Sequence, residues 1–241
     1  MVPRFIPTCS ERLLKGLGAL AAQYSEQGCW VQSHIAESPD EMAFVEALHP
    51  GRRDTAIFDR AGLLVPRRTV MAHAVFLNDD ELDTMAAREA GVACCPLSNI
   101  FFAGGDFELR AAHRRGVRVG LGTDVAGGYS CSLLSGVRHA VCASKCLGRG
   151  RSSMAAATEL DYQYAFWTAT LGGACAVGLE DHIGSFAVGK QFDAVVADCG
   201  SFDSFRARKL ATDFERYVNL GDDRHVVTVW VQGRVVKQLS A

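Results

Sequence analysis

Three apolar runs separated by helical patterns each close on a side chain able to bind a metal ion: Gln32-Ser-His34, Met71-Ala-His73 and Gly122-Thr-Asp124. Short apolar runs that alternate with amphipathic stretches mark repeated βα units, whose strands lie parallel in one sheet. In a (β/α) barrel the carboxyl ends of the strands converge on one mouth, so residues far apart in sequence meet there. Two imidazoles and a carboxylate suit zinc, and a catalytic zinc site leaves one position for a water whose pKa falls to about 7. Any one of these residues alone reads as a structural residue. Three strand ends carrying ligand side chains in one βα array point to a shared site.

The order of the runs supports that reading. Ser10 caps a helix on which Leu13, Leu17, Leu20 and Tyr24 fall at three- and four-residue spacing, and Gly28 ends it. A strand over 29–34 follows, then a helix opened by Pro39-Asp-Glu, a helical piece over 55–61 and a strand over 69–73. Asn78 with Asp79, Asp80 and Glu81 starts the next helix, Gly91 ends it, and a strand over 92–95 stops at Pro96. Helix over 107–115, strand over 117–121 and helices over 132–146 and 158–168 complete four strands. Beyond His182 the texture turns to short β pieces, 192–197 and 226–231, the latter turning through Gln232-Gly233 into a hairpin, with helix residues around 213–219 between them. Residues 1–182 therefore form the barrel-like part and 183–241 a small β element.

Composition excludes several classes. Hydrophobic residues make up 49% and charged residues 22% of the 241, which is globular usage. A net charge of −2 offers no basic field for phosphate backbones, so nucleic acid is excluded as a partner. No apolar run approaches the roughly 18 residues of a membrane span, and the first residues lack the pattern of a signal peptide, so a cytoplasmic protein without membrane contact is expected. The nine cysteines contain no Cys-x-x-Cys pair and read as free thiols in apolar runs such as 92–95 and 140–142. Any metal must then use His and carboxylate.

Two further candidates lie near the strand ends. Glu37, three residues past His34, is a candidate proton carrier; alone it also reads as an acid in the first turn of the following helix. Arg4 before Phe5 offers a fork donor and an aromatic face, suited to a flat heterocycle with a carbonyl oxygen, or else is an exposed terminal residue. His49, His113, His139, His182 and His225 fit helix or loop surfaces.

Ser33-His-Ile-Ala-Glu37, Met71-Ala-His73, Cys95-Pro-Leu-Ser-Asn99 and the string 120–130, Gly-Leu-Gly-Thr-Asp-Val-Ala-Gly-Gly-Tyr-Ser, resemble the amidohydrolase superfamily. Pro3-Arg-Phe5 and Leu220-Gly-Asp-Asp-Arg224 are similar to its guanine-deaminating branch, and the stretch 183–196 looks like the point where such barrels pass into a small β-sandwich. The resemblance implies an α/β fold, a (β/α)8 TIM-type barrel, of which this chain holds the C-terminal half and part of the sandwich. It implies zinc-dependent hydrolysis of guanine to xanthine and ammonia by a homodimer, with Zn2+ held by His34 and Asp124. His73 would then steady the tetrahedral intermediate, Glu37 would move a proton to the ring nitrogen beside the attacked carbon, and Asp124 would take a proton from water. Arg4 and Phe5 would hold the purine. Two departures stand out: no His-x-His pair occurs in the sequence, and Cys94 stands where the superfamily usually has His. They leave two alternatives, an inactive or partner-dependent half of the enzyme and an amidohydrolase acting on another heterocycle such as a pterin or triazine.

Overall fold

The computed structural model describes residues 1–148, 159–200 and 210–239. Four strands, β1 (Val31–Ile35), β2 (Thr69–His73), β3 (Gly91–Cys94) and β4 (Arg118–Leu121), lie side by side in chain order and all parallel. Helix α1 (Glu11–Gln23) precedes them; α2 (Pro39–Leu48) and α3 (Asp54–Arg60) cross from β1 to β2, and α4 (Asp79–Ala87) from β2 to β3. The single turn α5 (Pro96–Ser98) and α6 (Leu109–Arg114) lead into β4, which α7 (Leu133–Gly148), α8 (Tyr162–Thr168) and α9 (Leu171–Ala176) follow. Eight strands close a barrel of this kind, and the four here form an open sheet. At its first edge the segment 1–4 runs beside β1, with Gln32 N donating to the Met1 carbonyl at 2.9 Å and His34 N to the Arg4 carbonyl at 3.0 Å.

Local chemistry explains the helix starts. Ser10 accepts from Leu13 N, Ser38 from Glu41 N and Asp161 from Tyr164 N, while Asn78 and Glu81 form a reciprocal capping box. Strand alternation sorts the side chains. Val31, Ser33 and Ile35 of β1 and Thr69 and Met71 of β2 are buried, and Met71, Val92 and Val119 join Leu14, Val45, Phe58 and Met85 in one core between sheet and helices. Gln32, His34, Val70 and Ala72 occupy the opposite, half-buried face.

Several expectations are corrected. On α1 the buried stripe is Leu14, Gly18 and Ala21, whereas Leu13, Leu20 and Tyr24 are exposed. A Cβ at Gly18 would lie 1.7 Å from the Ala61 carbonyl oxygen, so the small residue, and not the larger leucines beside it, permits the close approach. Gly91 opens β3 and does not end α4, which stops at Ala87. All nine cysteines are free as expected, but Cys142 is exposed. The start of the helix expected over 158–168 lies outside the described residues; α8 covers Tyr162–Thr168.

A second sheet joins β5 (Ala194–Ala197), β6 (Val226–Val231) and β7 (Arg234–Gln238) antiparallel, with α10 (Leu210–Leu220) between β5 and β6. The expected hairpin is present: Gln232 and Gly233 have φ of 52° and 75°, the two left-handed residues of a type I′ turn.

Backbone contact also fixes how α9 sits on the parallel sheet. A Cβ at Gly91 would meet the Ala176 carbonyl oxygen at 1.9 Å. Gly91→Ala should therefore destabilise the chain by about 1–3 kcal/mol, the usual cost of overpacking. Gly16→Ala, on α1 with nothing within 4 Å of the added methyl, should stabilise it by roughly 0.5–1 kcal/mol. Urea unfolding midpoints of the two variants measure both.

Candidate metal and catalytic site

The carboxyl ends of β1, β2 and β4 bring His34, His73 and Asp124 together, each offering a ligand atom, and these atoms lie within 4.8 Å of one another. The two imidazoles stack, with ring centroids 5.3 Å apart. On His34, Nδ1 lies 2.6 Å from the Arg4 carbonyl oxygen. A carbonyl only accepts, so Nδ1 carries the proton and Nε2 keeps its lone pair, the orientation that a ligating imidazole needs. His73 is fully buried; its Nδ1 lies 3.0 Å from Asn99 Oδ1 and its Nε2 is buried with no hydrogen-bond partner. The Asn99 amide nitrogen reaches Cys94 Sγ at 4.0 Å, and the same side chain bonds the Asp106 carboxyl. Asn99 therefore presents its oxygen to His73. Burial pushes the Asp106 carboxyl up to about 6 against that bond.

Strand alternation alone would send His73 to the helix side of the sheet, the face of Met71. Its φ of 75°, followed by 60° at Ala74, turns the chain at the end of β2 and aims the ring at His34 instead. Ala36 and Asp124 also have left-handed backbones, with φ of 47° at each. Such residues cost on the order of 1–3 kcal/mol apiece and persist where the surroundings enforce them. Asp124 Oδ2 accepts from Ser98 Oγ at 2.6 Å, and a Cβ at Gly127 would lie 2.4 Å from that same oxygen. A glycine is needed for the loop to pass so close to the carboxylate. Cys95 lines the same region, but burial and the adjacent Asp124 carboxylate push its thiol up to about 12, so it is a neutral thiol.

Glu37 also reaches the cluster, with Oε1 3.7 Å from His73 Nε2 and its side chain 28% exposed. Its own backbone N–H donates to Glu41 Oε2 at 2.6 Å, and the preceding Ala36 N–H donates to Asp54 Oδ2 at 3.1 Å. Arg4 joins the site through its carbonyl, which accepts from His34 N, His34 Nδ1 and Ser33 Oγ. Its guanidinium is exposed and lies over the Phe5 ring, 5.2 Å from the centroid.

Sequence reasoning singled out His34, Glu37, His73 and Asp124, and the structure gathers them. It missed the residues behind them: Asn99, Ser98, Asp106, Glu41, Asp54 and the Arg4 carbonyl. The polar pair Ser98-Asn99, two residues past the Pro96 stop, was the available signal, since a polar pair at a strand end near ligand residues needs a reason to be buried.

The profile of the Amidohydrolase family matches residues 1–236. A guanine deaminase of Dictyostelium discoideum is 34% identical over 242 residues, covering 98% of this chain and 52% of that protein. A guanine deaminase from C. acetobutylicum with bound guanine in the active site superposes with a TM-score of 0.87 at 32% identity, covering 97% of this chain and 54% of that one. An adenosine deaminase from Xanthomonas campestris with bound zinc superposes with a TM-score of 0.83 at 30% identity, covering 98% and 51%. The chain spans about half the length of the curated relatives it matches. With a parallel βα array whose strand ends gather His34, His73 and Asp124, and a profile match over nearly its whole length, the chain belongs to the amidohydrolase family.

Proposed function

We propose that the chain carries out, or contributes the C-terminal half of the site for, zinc-dependent hydrolysis of guanine to xanthine and ammonia. One observation carries this reading: the buried, unpartnered His73 Nε2 faces the Glu37 carboxyl at 3.7 Å inside the His34–His73–Asp124 cluster. A buried polar atom without a partner is costly, so one kept at a strand end beside two other ligand groups suits a bound ion or substrate. The guanine deaminases among the relatives support the substrate.

The donor set fits zinc, and His34 and Asp124 would hold it, braced by the Arg4 carbonyl and the Ser98 hydroxyl. Zinc supplies Lewis acidity there and draws the pKa of water down to about 7. Water brings one oxygen and two protons. Glu37 carries one proton to the ring nitrogen beside the attacked carbon, and Asp124 passes the other to the departing amine, which leaves as ammonia. His73 steadies the tetrahedral carbon between these transfers. Arg4 and Phe5 grip the purine, the guanidinium at its carbonyl oxygen and the ring against its face. Homodimeric assembly belongs to the same reading and rests on the resemblance, and the nine free cysteines support a cytoplasmic setting. Among the described residues no helix is long and apolar enough to cross a membrane.

The missing His-x-His pair favours a second reading, in which the chain binds metal weakly and turns over only with a partner that supplies further ligands. Absorbance-monitored conversion of guanine by the purified chain with added zinc separates the two. Turnover that drops by about 10²-fold or more in Glu37→Ala, the scale of general acid-base catalysis, supports the first; a folded chain that holds zinc weakly and is inactive alone supports the second. Turnover of a pterin or triazine but not guanine would reassign the substrate.

Zinc binding is testable on its own. His34→Ala should weaken zinc retention against a chromophoric chelator, whereas His49→Ala should leave it unchanged. Asn99→Leu should lower stability by about 1–3 kcal/mol in urea unfolding, because it strands the buried His73 Nδ1 and the Asp106 carboxyl.

A further inference from the structure

We propose that Phe101 and Tyr129 form an aromatic wall at the mouth of the site that binds the face of a flat heterocyclic substrate, a purine on the reading above. The π-helical turn Asn99–Ala103, which follows β3 and α5, is built inside out. Asn99 is fully buried against His73, whereas Ile100, Phe101 and Phe102 are 52%, 65% and 60% exposed. Tyr129, in the loop that leaves β4, is 72% exposed, and Val125 of the same loop is exposed too. Large apolar side chains left in water next to a buried amide reverse what the hydrophobic effect selects, and such a patch marks a surface that receives a ligand or a partner.

Both rings are tied to the His34–His73–Asp124 cluster through short stretches of chain. Phe101 stands two positions past Asn99, whose Oδ1 lies 3.0 Å from His73 Nδ1. Tyr129 stands two positions past Gly127, where a Cβ would lie 2.4 Å from Asp124 Oδ2 and 3.0 Å from Ser98 Oγ. Gly128 N donates to the Asp124 carbonyl at 2.7 Å, and a Cβ at Gly128 would lie 3.4 Å from Leu97 Cγ. The β4 loop is therefore closed on itself and pressed against the residues just before Asn99. Both rings are placed before a ligand arrives, which lowers the ordering cost of binding.

The ring geometry fits a flat ligand. Phe101 and Tyr129 have centroids 6.2 Å apart and planes at 77°, and Tyr129 meets the His139 ring at 6.3 Å and 83°. A flat molecule stacked on one ring of a perpendicular pair meets the edge of the other, and offset stacking and edge-to-face contact are the two arrangements aromatic rings favour. Stacking reads a π face and not a hydrogen-bond pattern, so the wall supplies affinity for flat heterocycles as a class. Arg4 and Phe5, beside β1 at the other end of the strand row, offer the fork donor that tells one heterocycle from another. The place of the wall beside the cluster favours a small ligand over a protein, which would shut the mouth over Asp124. Only the choice of a purine rests on the deamination reading.

Equilibrium dialysis of the full chain with labelled xanthine, the product that the reaction does not consume, tests the wall without turnover. Phe101→Ala and Tyr129→Ala should each weaken binding by about fivefold or more, the scale of losing one aromatic stack on a base. Their urea unfolding midpoints should match the native chain, because both rings are exposed. Tyr129→Phe should restore the affinity lost in Tyr129→Ala, since the ring and not the hydroxyl makes the contact. Phe44→Ala, which removes another exposed ring on α2, should bind xanthine as the native chain does. Alanine variants at 101 and 129 that keep the native affinity, or a native chain that binds no xanthine, would overturn the wall. So would alanine variants that change only the sedimentation coefficient, which would assign the patch to a protein interface. A chain that binds xanthine through these rings but does not hydrolyse guanine counts against the deamination reading and leaves the wall in place.

Discussion

Parallel pairing of β1 with β2 sets Ile35 opposite His73, and everything at the site depends on how the chain leaves that register. If both strands simply continued, Ile35 and His73 would point into the helix layer together. Ile35 does so and is fully buried in the core. His73 does not, because a left-handed residue at the end of β2 swings its ring onto His34. The strand ends thus supply converging positions, and the backbone turns just past them supply the aim.

Those turns are supported by polar groups that face away from solvent. The Arg4 carbonyl selects the tautomer of His34, Asn99 holds His73, Ser98 holds Asp124, and the Glu41–Asp54 pair holds the loop of Glu37. Four side chains that would act on substrate or metal therefore each have a polar group behind them. Among the buried side-chain atoms of the described residues that lack a hydrogen-bond partner, His73 Nε2 is the one in the His34–His73–Asp124 cluster, 3.7 Å from Glu37 Oε1.

The guanine deaminases that the chain resembles are about twice as long as it is. The four parallel strands carry two imidazoles and a carboxylate but no His-x-His pair. A catalytic zinc normally has three protein ligands in a fixed geometry. Among the described residues this cluster offers two imidazoles and one carboxylate, with the Glu37 carboxyl beside His73.

Much of this was legible without coordinates. The βα order, the caps at Ser10 and Asn78, the Gln232-Gly233 hairpin and the candidates His34, Glu37, His73 and Asp124 follow from periodicity, capping chemistry and ligand residues at strand ends, all of which are local. The buried stripe of α1 was not legible, since Gly18 packs against a backbone carbonyl forty-three positions away and hydrophobicity is silent about such contacts. Nor was the convergence of Glu41 and Asp54 on consecutive N–H groups of one loop, two acids that each read as ordinary first-turn residues of their own helices. By itself the sequence determined which elements form and which side chains stand at their ends, because both are set within a few residues. Only the tertiary structure decided where those side chains aim and which polar groups stand behind them, because those outcomes depend on backbone turns and on contacts between segments that the chain brings together only when folded.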